Sequence, residues 1–172
     1  MTSSYGGTAP SHGPDADGRE ARGPEPSDAH APLPRAEFGF PGPLRDALVA
    51  AILEGTKTAT TGLLREYEQD GEPLPEAGAR AVLIDSAADP VAVVETTDVR
   101  VVALAEVDLA HARDEGEGHE TVAAWRAAHE EFWHGREMRA ALGDPGFTVD
   151  DSTQVVLERF RLVEDTGELR PR

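Results

Sequence analysis

The chain has 172 residues, a formal charge of -17 and no cysteine. That length accommodates one ordinary domain plus some extra chain, and the missing cysteine excludes a disulfide scaffold, thiolate catalysis and cysteine-ligated zinc. The acidic balance repels a phosphate backbone, which excludes long tracking along nucleic acid and an extended duplex DNA partner.

In chain order, residues 1–36 are rich in Gly, Pro, Ser, Asp and His and nearly free of large apolar side chains. Such a segment cannot bury enough apolar surface to offset an ordering entropy of roughly 1–2 kcal/mol per residue, so a disordered N-terminal tail is expected. Pro43 suits the first turn of a helix, Leu44, Leu48, Ala51 and Ile52 share a face, and Gly55 suits a stop, which predicts an amphipathic helix over 43–54. The run from Lys57 to Gly62 is β-branched and short, as at the rim of a sheet. Residues 72–78 read as a turn, 81–85 as a strand, and 91–104 as one long strand or two successive ones.

Asp108 is a plausible N-cap for a short helix through His111 and Glu115, closed by the glycines at 116 and 118. Thr121 can cap the next helix, whose Val122, Trp125, His129, Phe132 and Trp133 form a stripe expected to pack into the core. Asp144-Pro145-Gly146 is a turn and 153–163 a final strand. There Val155 and Leu157 lie on one parity and Phe160 and Leu162 on the other, which predicts a bulge between Glu158 and Arg159. These elements make an α+β domain over residues 37–164, around a small, barrel-like sheet flanked by helices, with a polar tail at 165–172.

Lys57 is the one lysine among sixteen basic residues. An ammonium can lose its proton when desolvated, whereas a guanidinium stays charged, so the exception reads as chemical. A cleft with local positive charge could hold a nucleoside, a nucleotide or a short single-stranded RNA despite the acidic surface. No apolar stretch approaches the roughly 20 residues that cross a bilayer, and no basic start precedes an apolar run, so no membrane partner and a cytoplasmic location are expected.

Phe38-Gly39-Phe40-Pro41-Gly42-Pro43, the helix ending at Gly55, the Lys57 run, Glu95-Thr96-Thr97, the segment 107–133 and Glu158-Arg159-Phe160 together resemble the ASCH family. The resemblance implies a PUA-like β-barrel with a cleft around the glycine-x-lysine motif that receives RNA or nucleoside-like ligands. Some small members are amidohydrolases acting on N4-acetylcytidine through a lysine, a threonine three residues later and a glutamate on a later helix. The matching positions are Lys57, Thr60 and Glu115. In that reading Lys57 takes the hydroxyl proton of Thr60, which attacks the acyl carbon, and Glu115 protonates the leaving nitrogen or orients water. Gly55, Thr58, Thr61, Arg65, Glu95 and Glu158 are the further candidates for ligand contact.

The family's motif often carries an arginine five residues after the lysine; here that residue is Gly62, and Arg65 is the candidate substitute. Two other functions stay open: a non-catalytic RNA or modified-nucleotide binding module, and a ribonuclease in which Lys57 stabilises phosphate charge. The bland alternatives are that the threonines are simply strand formers and that Glu115 lies on a solvated helix face. His129 and His134 are five apart, about 500° around a helix, which rejects a shared metal site. His111 and Glu115 have one-face spacing but no visible third ligand, as in a surface pair. No phosphate loop, nucleophile elbow or dinucleotide fingerprint is present, so no cofactor is expected.

Overall fold

The computed structural model describes residues 33–163 together with a short strand, β1, at Ser3–Tyr5. A six-stranded sheet runs in the order β1, β2 (Arg35–Phe38), β4 (Arg80–Ile84), β5 (Pro90–Ala103), β6 (Gln154–Val163) and β3 (Ala59–Leu63). Every pairing is antiparallel except β2 with β4. The sheet curls so that its two edges, β1 and β3, approach each other, which makes the expected barrel-like shape. The boundary expected at residue 36 falls inside β2, because Ala36 and Phe38 are buried apolar side chains that the preceding prolines and glycines obscure. Ser3–Tyr5, inside the expected disordered tail, form a strand because their backbone pairs with the edge of β2; the remaining residues of the expected tails lie outside the described residues.

Helix α1 (Pro43–Leu53) starts on Pro43 as the sequence suggests. It packs Leu48, Val49 and Ile52 onto Phe38, Leu83, Val94 and Phe160, forming the core on one face of the sheet. Arg45 fastens its first turn: the buried guanidinium pairs with Glu37 at 2.9 Å and donates to the Gly39 carbonyl at 2.6 Å. On the other face lie α2 (Leu64–Asp70), α3 (Leu109–Asp114), α4 (Val122–Trp133) and α5 (Arg136–Ala141). Trp125, Trp133, Met138, Leu142 and Phe147 join Leu63, Val155 and Leu157 in that second core.

Two cores on opposite faces correct the reading of β6. Val155 and Leu157 enter the second core and Phe160 the first, as strict alternation along one regular strand requires. The irregularity sits on the partner strand: Thr96 opposes Phe160 and Asp98 opposes Arg159, leaving Thr97 as the extra residue of β5. Residues 90–103 are thus one strand bent at Thr97. Both anticipated caps are present, with Asp108 accepting from the His111 amide at 2.8 Å and Thr121 from Ala124 at 3.1 Å.

Candidate functional site around Lys57

Gly55 closes α1 with a φ of 76° and open space where a side chain would stand. The next residues are held against the end of α3. Thr58 donates its amide to the Asp114 carbonyl at 2.8 Å and its hydroxyl to the same oxygen at 3.3 Å, and Arg159 pairs with the Asp114 carboxylate at 2.5 Å. Gly116, with a φ of 68°, lets the backbones touch: a Cβ there would lie 2.3 Å from the Thr56 carbonyl oxygen.

This junction drives Lys57 inward, with its side chain fully buried. Nζ donates to Glu117 Oε1 at 3.0 Å and to the Glu115 carbonyl at 3.2 Å, and lies 3.8 Å from Glu115 Oε2. Such a ring of acceptors suits an ammonium, because a buried charge is tolerated only when paired. Glu115 is itself completely buried. Its Oε1 accepts the Thr61 hydroxyl at 2.6 Å and lies 3.3 Å from His111 Nε2, while its Oε2 faces His129 Nε2 at 3.2 Å. Burial alone would push this carboxyl up, but His129, Lys57 and the hydrogen-bonded His111 together outweigh it and hold it well below its usual 4.5. Burial likewise pushes the His129 ring below its usual 6.5, against the pull of Glu115.

A second buried polar group lies on the opposite face of β3. Thr60 stands directly across from Glu158 in the β3–β6 ladder, and Glu158 accepts the Thr96 hydroxyl at 2.6 Å. Directly opposed residues share a face and consecutive residues do not. β3 therefore sends Thr61 to Glu115 and Thr60 to Glu158, so the structure gathers Lys57, Thr61 and Glu115 on one face and sets Thr60 on the other. His111 and Glu115, which read as a surface pair in the sequence, are buried at the centre of the first group.

Two further candidates lie elsewhere. Arg65, the proposed stand-in for the motif arginine, is on α2, pairing with Asp144 at 3.1 Å and covering the Phe147 ring. Glu95 is on the outer side of the sheet, where the hydrogen-bonded guanidiniums of Arg161 and Arg80 hold it below the ordinary carboxylate value. Sequence reasoning missed the parts of Glu117 and His129. The signal for His129 was its place in the stripe with Trp125 and Trp133, whose rings flank it at 4.2 Å and 5.2 Å. A surface cavity of about 600 Å³ bounded by Pro34, Pro73, Pro75 and Arg80 shares no residue with either polar group.

The ASCH domain family model matches residues 35–164, spanning both cores and both polar groups. The chain belongs to the ASCH domain family. It is similar to the crystal structure of an ASCH domain from Lactobacillus crispatus JV V101, at 28% identity over 73% of this chain and 76% of that one, with a TM-score of 0.63. It is also similar to protein EF3133 from Enterococcus faecalis V583, at 26% identity over 74% of each chain, with a TM-score of 0.64. Among curated proteins none matches the sequence. The ASCH domain is a PUA-like, RNA-binding kind of fold. Among the described residues no helix is long and apolar enough to cross a membrane.

Proposed function

We propose that this ASCH domain binds an RNA-derived or nucleoside ligand in a cleft around Lys57, and that it hydrolyses the amide of an acylated nucleoside such as N4-acetylcytidine. The observation that carries the reading is the burial of the chain's single lysine against Glu115 and Glu117, where β3 passes between two buried polar groups. A desolvated ammonium attracts a carbonyl or phosphoryl oxygen far more strongly than one in water. In this reading Lys57 polarises the acyl oxygen while the Thr60 oxygen attacks the acyl carbon and gives its proton to Glu158, its neighbour across the ladder. Glu158 passes that proton to the leaving nitrogen as the C–N bond breaks, water then hydrolyses the ester on Thr60, and Glu115 orients Lys57 and Thr61. Thr58 and Gly55 shape the backbone that presents the lysine, and Glu158 faces the ligand beside Thr60.

A specific observation supports the rival reading of a binding module without catalysis: Thr60 and Glu115 occupy opposite faces of β3, so the hydrolytic version requires the ligand to span both. Hydrolysis of N4-acetylcytidine by wild type, Lys57→Arg, Thr60→Ala and Thr61→Ala separates the two. The hydrolytic reading expects cytidine release, abolished in Lys57→Arg and Thr60→Ala. In Thr61→Ala it should fall by about ten- to a hundredfold, as for loss of a group that holds a catalytic residue. Intact substrate with Lys57-dependent binding of nucleoside or short RNA leaves the binding module. Lys57-dependent scission of a labelled RNA would establish a ribonuclease instead.

A further inference from the structure

His129 belongs to no part of the function proposed above, yet it is completely buried against Glu115. Its Nδ1 lies 3.0 Å from the Trp125 carbonyl oxygen. A carbonyl accepts only, so the hydrogen-bonding network assigns a proton to Nδ1. A neutral ring with that tautomer carries a lone pair on Nε2. That lone pair would confront the Glu115 Oε2 lone pairs at 3.2 Å, and neither atom has a hydrogen-bond partner among the described residues. The His111 ring does not relieve the clash. Thr61 gives its own proton to Glu115, so the contact of its oxygen with His111 Nε2 at 2.9 Å takes the proton on that nitrogen, which points at Thr61 and away from the His129–Glu115 contact.

Among the described residues the charged and titratable groups around His129 are Glu115, His111 and Glu117 at the end of α3 and Lys57 from the loop after α1.

We propose that His129 and Glu115 hold one proton between Nε2 and Oε2 at neutral pH, and that His129 is thereby the positioning residue that keeps Glu115 from binding Lys57 too tightly for Lys57 to meet a ligand. Two forces compete at the ring. Desolvation disfavours an imidazolium, while the fixed Nδ1 proton and the facing carboxylate require a proton between them. Two bare acceptors facing each other each lack a hydrogen bond, and a proton between them serves both. The shared proton concerns the free protein, while the positioning role rests on Lys57 being the ligand-facing residue proposed above.

Ring ¹⁵N NMR of the full chain tests it, with His129 assigned by its absence from His129→Gln. The expected wild-type spectrum at neutral pH shows a protonated Nδ1 and an Nε2 shifted toward the imidazolium value. In Glu115→Gln, whose amide can donate to Nε2, the ring should become the neutral Nδ1–H tautomer. The single lysine gives a second readout: with ¹³C-labelled lysine, the Lys57 resonance should shift as the pair titrates, and this step should vanish in His129→Gln. A neutral Nε2–H tautomer in wild type, or a Lys57 titration identical in wild type and His129→Gln, overturns the proposal. If Glu115→Gln fails to fold, the wild-type tautomer and the Lys57 comparison still decide it.

Discussion

Lys57 sits where removing a cation leaves two carboxylates, Glu115 and Glu117, without the charge that faces them. Lys57→Met keeps the volume and removes the charge, so it should lose about 3–5 kcal/mol of stability, the cost of breaking a buried pair, measured by urea denaturation. Glu115 supplies the matching pH dependence. Its folded-state carboxyl is held below the usual 4.5, so the unfolded chain binds its proton first on acidification. The stability it contributes is present above about 4.5 and is lost as pH falls through the lower folded value. Glu115→Gln should therefore show a flatter fall in denaturation midpoint below pH 4.5 than wild type. Lys57 was legible because it is the single lysine, and Glu115 through the family resemblance. The partition of Thr60 and Thr61 was not legible, because a strand's parity acquires a meaning only once its partner is known, and β6 lies about a hundred residues downstream.

At the scale of elements, the contact between the end of α1 and the end of α3 holds the site, and two glycines with similar backbone angles separate local strain from contact. Gly55→Ala meets open space at a φ of 76°, so it should cost about 1 kcal/mol, the penalty for a side chain in the left-handed region. Gly116→Ala adds a collision with the Thr56 backbone to a φ of 68°, and backbone cannot turn aside as a side chain can. It should cost about 3 kcal/mol or more and displace Lys57, so that ligand binding falls even where the protein stays folded. Denaturation midpoints of the two variants check the contrast; equal losses would mean that the α1–α3 contact yields easily. The helices bordering this junction differed in legibility for a related reason. α1, α3 and α4 carry caps or a repeating apolar face, whereas α2 and α5 are seven and six residues long with one buried side chain each, Tyr67 and Met138. A single anchor has no period, and such short helices are held by tertiary packing. The bend at Thr97 left no mark in the sequence either, while the parity change it was mistaken for marked the two cores that β6 joins.

For the whole molecule the decisive quantity is the charge of -17 set against one buried lysine. Proteins that follow a nucleic-acid backbone release about one counterion for each phosphate they neutralise, and for a single strand the affinity falls with a logarithmic salt slope of about -0.7 per phosphate. A site that contacts one phosphate through Lys57 should therefore show a slope of about -0.7 for a short oligonucleotide. A neutral nucleoside, which releases no counterions, should bind with almost no salt dependence. The acidic surface acts in the opposite direction at longer range: each added nucleotide beyond the cleft meets repulsion that salt screens, so lengthening the oligonucleotide should weaken binding at low salt and lose that effect at high salt. Titrations of a nucleoside, a dinucleotide and a longer oligonucleotide across salt concentrations measure all three slopes. A slope that steepens with length to about -3 would require some four phosphate contacts, and would place a basic track on this acidic chain that Lys57 alone does not supply.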